Sequence, residues 1–352
     1  MNNIIPCLLS SLIAVLAKIM LRGRLTSNIK LGINTDLITL AGAKMEQNQS
    51  QSQRYNYLVK LAAFAATTTA LLLVVLKLYA WFVTDASAML ASATDSILDL
   101  FASVMNVVIL RFALAPADEE HKFGHGKAES LAGLVQAAFV LGSALLLVFN
   151  GVERVINPQE VVRTEVGIWV SVIAIVMTLL LVVIQKYVIA KTRSVAISAD
   201  ALHYQSDLLL NLGVLLALFL SQGYWLQADG VFTVAVGIFL LVGASKIIWL
   251  SVHQLMDHEL TEQELDVIKQ IVSSHEGALG LHELRTRQAG QDRFIQFHLE
   301  LDDNLSLLEA HDIGEAIEID IVKALAPCEV FIHHDPSSVV GSELAHNEKA
   351  VE

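Results

Sequence analysis

The sequence predicts a membrane all-α bundle of six transmembrane helices, followed by a small α+β cytoplasmic domain. The first observation behind this prediction is composition. Apolar residues make up 54% of the 352 residues and charged residues only 17%, as is typical of proteins that cross a membrane several times. The second is a change of pattern after Asp257, where long apolar stretches give way to short amphipathic segments.

Six apolar stretches are about long enough to cross a bilayer as helices. They run over residues 58–83, 88–114, 126–152, 165–190, 198–221 and 228–250. Lys and Arg gather at the amino end, in the second and fourth connections and at the end of the sixth stretch, which favours cytoplasmic amino and carboxyl termini. The third connection weakens this bias because it carries Arg154 and Arg163. We assign residues 45–255 to the six-helix transmembrane domain.

Residues 256–337 are predicted to form the cytoplasmic domain, with the element order α-β-β-α-β. Its second strand alternates Ile295, Phe297 and Leu299 with polar residues, which is the period of a half-buried strand. Residues 338–352 are expected to be a disordered tail. The helices are expected at Thr261–His275 and Ser306–Leu325, and the strands at Leu279–Gln288, Arg293–Leu301 and Glu329–His333.

The N-terminal extension, residues 1–44, allows two interpretations. Ile4–Leu21 is apolar and is followed by Arg22 and Arg24, as in a signal-like or anchor segment. Alternatively the start is mis-assigned and the true first residue is Met45, directly before a Gln-rich polar run. A seventh span in this segment would conflict with an even number of helices. Both interpretations stay open.

Cysteine content and net charge exclude two other classes of protein. The two cysteines, Cys7 and Cys328, form no CxxC or CxxH arrangement, which excludes a disulfide framework or a thiolate zinc site within one chain. The net charge of −13 and the lack of a basic run with interleaved aromatic residues argue against a nucleic-acid partner.

Two matched pairs of polar residues stand within the apolar stretches: Asp95 with Asp99, and His203 with Asp207. Each pair has i,i+4 spacing, so both members project from one face of a helix. A charge at the bilayer centre costs roughly 2.5–3.5 kcal/mol on insertion scales, so such residues mark functional sites. Two Asp from one helix, with His and Asp from another, supply four ligands for a divalent cation. We therefore interpret these four residues as a metal transport site.

The ligand types restrict the metal. Without thiolate or Met ligands Cu(I) is disfavoured, whereas Zn²⁺, Cd²⁺ and Fe²⁺ accept imidazole nitrogen and carboxylate oxygen. His203 must be neutral to bind metal, and the ordinary pKa of imidazole is about 6.5, so metal and protons compete for the site. This competition gives metal–proton exchange a physical basis without ATP, and the chain has no Walker-type loop.

Other interpretations compete with a carrier. The polar pairs could be contacts between packed helices, with Asp95 or Asp99 paired to Lys77. A membrane metalloenzyme would need an HExxH motif or dense histidine boxes, which no span contains. A metal-gated channel or membrane metal sensor also fits the sequence. Flux measured at clamped pH separates a channel from a carrier.

Two further groups of residues carry metal-ligand chemistry. Asp118, His121 and His125 have a spacing that allows three ligands and one open position, and a solvated polar loop explains them equally well. In the cytoplasmic domain His333 and Asp335 point to the same side of a strand, and isolated surface histidines are the alternative there. That second group comprises His282, His298, His311, His333, His334 and Asp335.

These motifs resemble those of the bacterial cation diffusion facilitators, in particular the zinc and ferrous-iron efflux branch. The resemblance covers residues 45–336, nearly the whole chain after the extension. It is carried by the Asp-x3-Asp of the second span and by His203-Tyr204-Gln205-Ser206-Asp207 of the fifth. The remaining matching segments are residues 116–118, 124–129, 281–288 and 294–300.

The resemblance implies a homodimeric zinc–proton antiporter of the bacterial inner membrane, with a metallochaperone-like cytoplasmic domain for metal binding and dimerisation. It implies zinc preference from the His on the fifth span, and a pair between Lys127 and Asp257 that holds the dimer together. It further implies a weaker site at Asp118, His121 and His125. A binuclear zinc site at the dimer contact would use His282, His298, His311, His333 and Asp335, with the role of His334 open. Zn²⁺ would thus be both transported and structural.

Overall fold

The computed structural model describes residues 35–85, 87–157, 165–220 and 227–340. Six long helices come first, followed by a compact domain of two helices and three strands. The long helices are α1 (Thr35–Thr84), α2 (Ser87–Ala113), α3 (Lys127–Ile156), α4 (Glu165–Thr192), α5 (Val195–Leu220) and α6 (Ala228–Leu255). The second set is α7 (Glu262–Ser274), β1 (Gly280–Ala289), β2 (Asp292–Leu301), α8 (Leu307–Leu325) and β3 (Cys328–Pro336).

Helix α1 is much longer than the apolar stretch 58–83 that predicted it. The polar run before that stretch is rich in Gln and holds neither Gly nor Pro, so nothing in it interrupts a helix. Its side chains contact the cytoplasmic domain: Gln47 Nε2 donates to the Lys323 carbonyl at 3.2 Å, and Asn48 Nδ2 donates to the Cys328 carbonyl at 3.1 Å. The expected boundary at residue 45 lies inside this helix, and residues 1–34 of the extension lie outside the described residues.

The predicted class of a helical membrane bundle with an α+β domain is confirmed. Among the described residues, five helices are long and apolar enough to cross a membrane, and α5 is the sixth helix of the bundle. Helix α5 packs against α3, α4 and α6 and carries Asp200, His203 and Asp207 in its first half. Large apolar side chains face outward from the bundle, such as Phe82 at 84% and Phe139 at 78% exposure, as expected of a lipid-facing surface.

Helices α3 and α6 approach closely because glycines face each other where they cross. A Cβ built on Gly230 would lie 2.7 Å from the Val155 backbone nitrogen and 2.8 Å from the Gly151 carbonyl oxygen. One built on Gly237 would lie 2.7 Å from Val148 Cγ2. Small residues allow this backbone contact, which replaces the hydrophobic drive that is missing between helices in lipid. Both helices also pack against α5.

The cytoplasmic domain has the predicted α-β-β-α-β order. Its sheet has the order β1-β2-β3, with β1 and β2 antiparallel and β2 and β3 parallel. The apolar face of β2, including Ile295, Phe297 and Leu299, is fully buried under α7 and α8. Both helices begin with capping boxes, at Thr261 and Ser306, which satisfy the first backbone N–H groups. Residues 338–340 of the expected tail are helical, and residues 341–352 lie outside the described residues.

We predict that Gly230→Ala destabilises the bundle while Gly142→Ala does not. The added methyl at residue 230 would meet backbone atoms of α3, whereas a Cβ at residue 142 has no described residue within 4 Å. Overpacking of this kind costs roughly 1–3 kcal/mol, so thermal unfolding of the purified protein should occur at a clearly lower temperature for Gly230→Ala alone. Equal midpoints for the two variants would contradict the close α3–α6 contact.

Candidate metal centres

The described part of the chain contains three groups of His and Asp whose potential ligand atoms lie within 4.8 Å of one another. The first is in the bundle, the second in the connection between α2 and α3, and the third on the cytoplasmic sheet. Each group combines residues whose ligand chemistry was recognised from the sequence.

The group in the bundle brings together Asp99 of α2 with His203 and Asp207 of α5. His203 Nε2 lies 3.0 Å from Asp99 Oδ1 and 3.6 Å from Asp207 Oδ2. The three side chains are partly buried, between 23% and 31% exposed. The i,i+4 spacing sets His203 and Asp207 on one face of α5, and that face meets α2.

Asp95 lies one turn before Asp99 on α2 and is exposed rather than part of this group. The nearby Lys77 ammonium donates a hydrogen bond to Ser96 Oγ at 2.7 Å. Of the four residues interpreted as ligands, the structure therefore brings three into contact. Asp95 stands beside them on the same helix.

A hydrogen-bonded tyrosine supports the ligand-bearing helices. Tyr204 is 1% exposed, and its hydroxyl lies 2.8 Å from Ser103 Oγ of α2 and 3.3 Å from the Ala66 carbonyl of α1. These bonds connect α1, α2 and α5 at the level of His203. They fix the distance between the two helices that supply the group.

Two buried carboxylates in the bundle were missed by the sequence analysis. Asp200 is 1% exposed and accepts hydrogen bonds from Gln136 Nε2 at 2.8 Å and Gln185 Nε2 at 2.7 Å, which connects α3, α4 and α5. Asp200, like Asp207, is an acid within the fifth apolar stretch, a position that indicates a functional role. The two glutamines that donate to Asp200 are distant from it in the sequence. The sequence alone could therefore have indicated Asp200 but not its partners.

The second buried carboxylate, Glu129, is 3% exposed near the start of α3. It accepts hydrogen bonds from the Tyr55 hydroxyl at 2.7 Å and from Ser194 Oγ at 2.5 Å. Ser194 directly precedes α5, so Glu129 connects α1, α3 and the start of the helix that carries His203. An anion at a helix N-terminus is favoured by the helix dipole.

The loop group consists of Asp118, His121 and His125. His121 Nδ1 lies 3.1 Å from Asp118 Oδ1, and His125 Nε2 lies 3.3 Å from Asp118 Oδ2. The backbone N–H of His121 donates to Asp118 Oδ1 and lowers the pKa of this carboxyl. His121 is half exposed, whereas His125 is 3% exposed and lies against the Phe112 ring. The group is thus open to solvent on one side only.

The cytoplasmic group is centred on Asp335, whose side chain is 5% exposed. Asp335 Oδ2 lies 2.7 Å from His298 Nδ1 and 3.3 Å from His282 Nε2, and Oδ1 lies 3.1 Å from His333 Nε2. The His282 Nε2 atom is buried and faces Asp335 Oδ2 at 3.3 Å without a well-formed hydrogen bond within the described residues. A buried imidazole nitrogen beside a carboxylate and two more imidazoles fits a metal ligand set.

Glu283 also belongs to this neighbourhood and was not predicted. The register of β1 shifts between His282 and Arg285, and Glu283 adopts a positive φ of 48°. This bulge brings Glu283 Oε2 to 3.9 Å from His298 Nε2. A bulge that turns a polar residue toward a site has no signal in an alternating pattern.

Two of the cytoplasmic histidines lie apart from this group. His311 on α8 is 63% exposed and lies 3.8 Å from Glu315. His334 points to the opposite side of β3 from His333, against Gly314 of α8, and burial lowers its pKa. His334 therefore lies beneath α8, on the side of the sheet opposite to the cytoplasmic group.

Lys127 and Asp257 meet within one chain. Lys127 Nζ lies 2.9 Å from Asp257 Oδ1, and Arg287 of β1 lies 3.6 Å from Asp257 Oδ2. The pair connects the start of α3 with the segment that leaves α6. Arg287 also stacks on Phe123 and Phe294, so the cytoplasmic sheet contacts the α2–α3 connection at this point.

A helical bundle that brings carboxylate and imidazole groups together defines a membrane protein with candidate metal-binding groups. Comparison with known proteins supports this class. Residues 63–256 match the cation efflux transmembrane domain, and residues 260–337 match the cytoplasmic domain of cation efflux proteins. The chain belongs to the cation diffusion facilitator family. It is a multi-pass membrane protein that exports divalent metal, and it is not an enzyme.

Curated relatives match along nearly their whole length. The cation-efflux pump FieF of Shewanella oneidensis is 49% identical over 290 residues, which cover 82% of this chain and 98% of the relative. FieF of Salmonella arizonae is 45% identical over 83% of this chain and 98% of the relative. Among solved structures, the zinc form of CzrB is 29% identical over 24% of this chain and 96% of that chain, with a TM-score of 0.22.

A second pair of carboxylates lies where the cytoplasmic sheet faces the bundle. Asp292 begins β2, and Glu329 lies near the start of the neighbouring parallel strand β3. Burial and the charge of Glu329 raise the pKa of Asp292 to about 6, against a smaller opposing effect of Arg293. Arg293 instead forms an ion pair with Glu264 at 3.0 Å.

We predict that Asp292→Asn stabilises the metal-free protein at pH 7.5 and not at pH 4. Because the folded-state pKa of Asp292 is raised to about 6, its contribution to stability is full below its unfolded pKa and is lost as the pH rises through 6. The Asn variant avoids this loss. Its free energy of unfolding at pH 7.5 should therefore exceed that of wild type by about 1–2 kcal/mol, after allowance for partial exposure. Thermal unfolding in chelator at both pH values measures it. A lower midpoint for the variant at pH 7.5 would contradict the assignment.

Proposed function

We propose that the protein exports Zn²⁺, and also Fe²⁺ or Cd²⁺, in exchange for protons through an intramembrane site of Asp95, Asp99, His203 and Asp207. The observation that carries the proposal is the contact between Asp99, His203 and Asp207, whose ligand atoms lie within 4.8 Å of one another. Imidazole nitrogen and carboxylate oxygen are the ligands that these metals accept. Asp95, one turn away on α2, would complete a set of four.

Exchange for protons follows from the chemistry of the group. His203 must be neutral to bind metal, and three acids around one divalent ion leave excess negative charge. Protons that reach the group from the other side of the membrane would therefore favour metal release. The group is contributed by two helices, α2 and α5, so a movement of one against the other can open it to either side. The closely packed α3–α6 pair supplies a fixed reference for that movement.

The other two groups would serve binding rather than transport. Asp118, His121 and His125 would form a weaker site in the α2–α3 connection. His282, His298, His311, His333 and Asp335 would hold structural Zn²⁺ in the cytoplasmic domain, a proposal supported by the three imidazoles that lie within 3.3 Å of the Asp335 carboxylate. His311 lies apart from the other four in a single chain, so its participation would depend on dimer formation or on movement of α8.

We further infer a homodimer in the bacterial inner membrane with both termini in the cytoplasm. The proposed organisation is an N-terminal extension at 1–44, a transmembrane domain at 45–255, a metal-binding and dimerisation domain at 256–337 and a tail at 338–352. The Lys127–Asp257 pair, at 2.9 Å, would stabilise the start of α3 and thereby the dimer. Such a partly exposed pair contributes modestly to stability by itself. Its effect on the dimer would therefore depend on its position between the start of α3 and the segment that leaves α6.

We predict that Asp207→Ala abolishes zinc flux into proteoliposomes while leaving the protein folded. The substitution removes a ligand, and the Asp99–His203 contact at 3.0 Å still joins α2 and α5. Flux is followed with a zinc-sensitive dye, with and without an imposed pH gradient. Wild-type flux should follow the gradient, and flux of Asp207→Ala should fall to the level of protein-free vesicles.

Glu153→Ala is the matched control, because it removes an exposed carboxylate from α3 outside the group. It should transport zinc at the wild-type rate. Retained zinc flux in Asp207→Ala would overturn the intramembrane site, and wild-type flux that ignores the gradient would indicate a channel.

We predict that His298→Ala weakens zinc binding in the cytoplasmic domain at least tenfold and leaves the membrane group intact. His298 lies 2.7 Å from Asp335 at the centre of the cytoplasmic group. Competition against a zinc-binding dye measures the affinity, and His258→Ala controls for the loss of an exposed histidine elsewhere. An unchanged affinity and stoichiometry in His298→Ala would remove His298 from the ligand set.

A further inference from the structure

A cavity of about 590 Å³ lies between the membrane bundle and the cytoplasmic domain. Its walls come from the polar part of α1, the α2–α3 connection and the beginnings of β2 and β3. The loop group borders it through His125. None of the three metal groups described above accounts for this space.

The amide side chains in the wall present hydrogen-bond acceptors that have no donor. The Asn48 and Gln291 amide nitrogens donate to the Cys328 carbonyl at 3.1 Å and to Ser52 Oγ at 2.7 Å. Within the part of the chain that the structure describes, their carbonyl oxygens are buried without a partner, and so is Asn56 Oδ1. A buried acceptor without a partner costs about 1–3 kcal/mol. Three of them on one cavity call for an occupant that carries positive charge or donates hydrogen bonds.

Two carboxylates in the same wall favour positive charge. Asp292 and Glu329 both border the cavity and repel each other. Arg293 is engaged by Glu264 at 3.0 Å, and Glu129 is already satisfied by Tyr55 and Ser194. Lys122 and Glu329 are both exposed where they border the cavity, whereas Asp292 is partly buried. The buried part of the wall is therefore rich in acceptors, with the Asp292 carboxylate beside them.

His125 connects this cavity to the loop group. Its side chain is 3% exposed, its Nε2 lies 3.3 Å from Asp118, and its Nδ1 is buried without a hydrogen-bond partner among residues 35–85, 87–157, 165–220 and 227–340. One nitrogen thus belongs to the loop group, and the other has no partner in that part of the chain. An imidazole this deeply buried normally satisfies both nitrogens.

We propose that this cavity is a fourth cation site, in which Asp292 and Glu329, with the amide oxygens of Asn48, Asn56 and Gln291, hold a hydrated divalent cation. The ligands other than water are all oxygen, which favours hard cations such as Mn²⁺ and gives weaker binding of Zn²⁺ than the imidazole groups do. A weak site suits a cation that is held briefly on the cytoplasmic side. Its role as a waiting position for cargo rests on the proposed export function, whereas the binding itself does not.

The test uses the full-length protein in detergent and Mn²⁺ as the probe, counted by electron paramagnetic resonance of the unbound ion. Asp292→Asn combined with Glu329→Gln should bind one Mn²⁺ fewer per chain than wild type. The control, Asp266→Asn combined with Glu276→Gln, removes two exposed acids from the same domain outside the cavity. It should bind as wild type does, which excludes an effect of net charge alone.

Equal Mn²⁺ counts in wild type and the cavity variant would overturn the proposal and leave the cavity to water. An equal loss in both double variants would overturn it as well, because binding would then follow net charge. Both substitutions in the cavity are nearly isosteric and relieve repulsion, so the variant should unfold at a temperature no lower than wild type. A lower unfolding temperature would contradict the repulsion on which the site rests.

Zinc flux into proteoliposomes tests the waiting role separately. The cavity variant should need severalfold more zinc for half-maximal flux and reach the wild-type maximum. Unchanged zinc dependence would overturn the waiting role while leaving the Mn²⁺ result to decide the site. Absence of flux in wild type would count against export itself and not against cation binding in the cavity.

Discussion

The arrangement of this molecule depends on charged and polar side chains that must be accommodated inside an apolar bundle. Each such residue is unfavourable in lipid unless it has a partner, so its partners determine which helices lie together. Asp99 and His203 meet at 3.0 Å and join α2 to α5. Asp200 joins α5 to α3 and α4 through two glutamine side chains. Helix α5 is thus held by polar contacts along the segment that carries the candidate ligands.

The same constraint acts at the cytoplasmic end of the bundle. Glu129 is buried beside the start of α5 and is held by Tyr55 and Ser194. Two residues earlier, Lys127 pairs with Asp257, and His125 belongs to the loop group. A short stretch at the start of α3 therefore contacts the loop group, the cytoplasmic domain and the ligand-bearing helix.

Local geometry explains which features could be predicted from the sequence. The i,i+4 spacing of His203 and Asp207 fixes their common face on any helix, and the alternation around Phe297 fixes the buried face of β2. The predicted amino end of the first helix was wrong, whereas its carboxyl end was right to within one residue. Contacts of Gln47 and Asn48 with the cytoplasmic domain stabilise a polar helical segment that has no apolar signal. Hydropathy indicates burial in lipid but does not detect the packing of a polar helical segment against another domain.

Partners that are distant in the sequence explain what was missed. Nothing near Glu129 indicates Tyr55, which lies 74 residues away. Glu283 reaches the cytoplasmic group only because β1 is bulged. The position of Asp95 outside the three-residue group likewise depends on how α2 meets α5, which spacing along one helix does not determine.

Zinc X-ray absorption on a variant without the other histidine groups tests the central claim most directly. His121, His125, His282 and His298 would each be replaced by Ala, leaving the group of Asp99, His203 and Asp207. The account predicts one bound zinc per chain, with a shell of nitrogen and oxygen at about 2.0–2.1 Å that includes one imidazole. A four-ligand protein shell would include Asp95. No retained zinc, or a shell without imidazole, would contradict the intramembrane site.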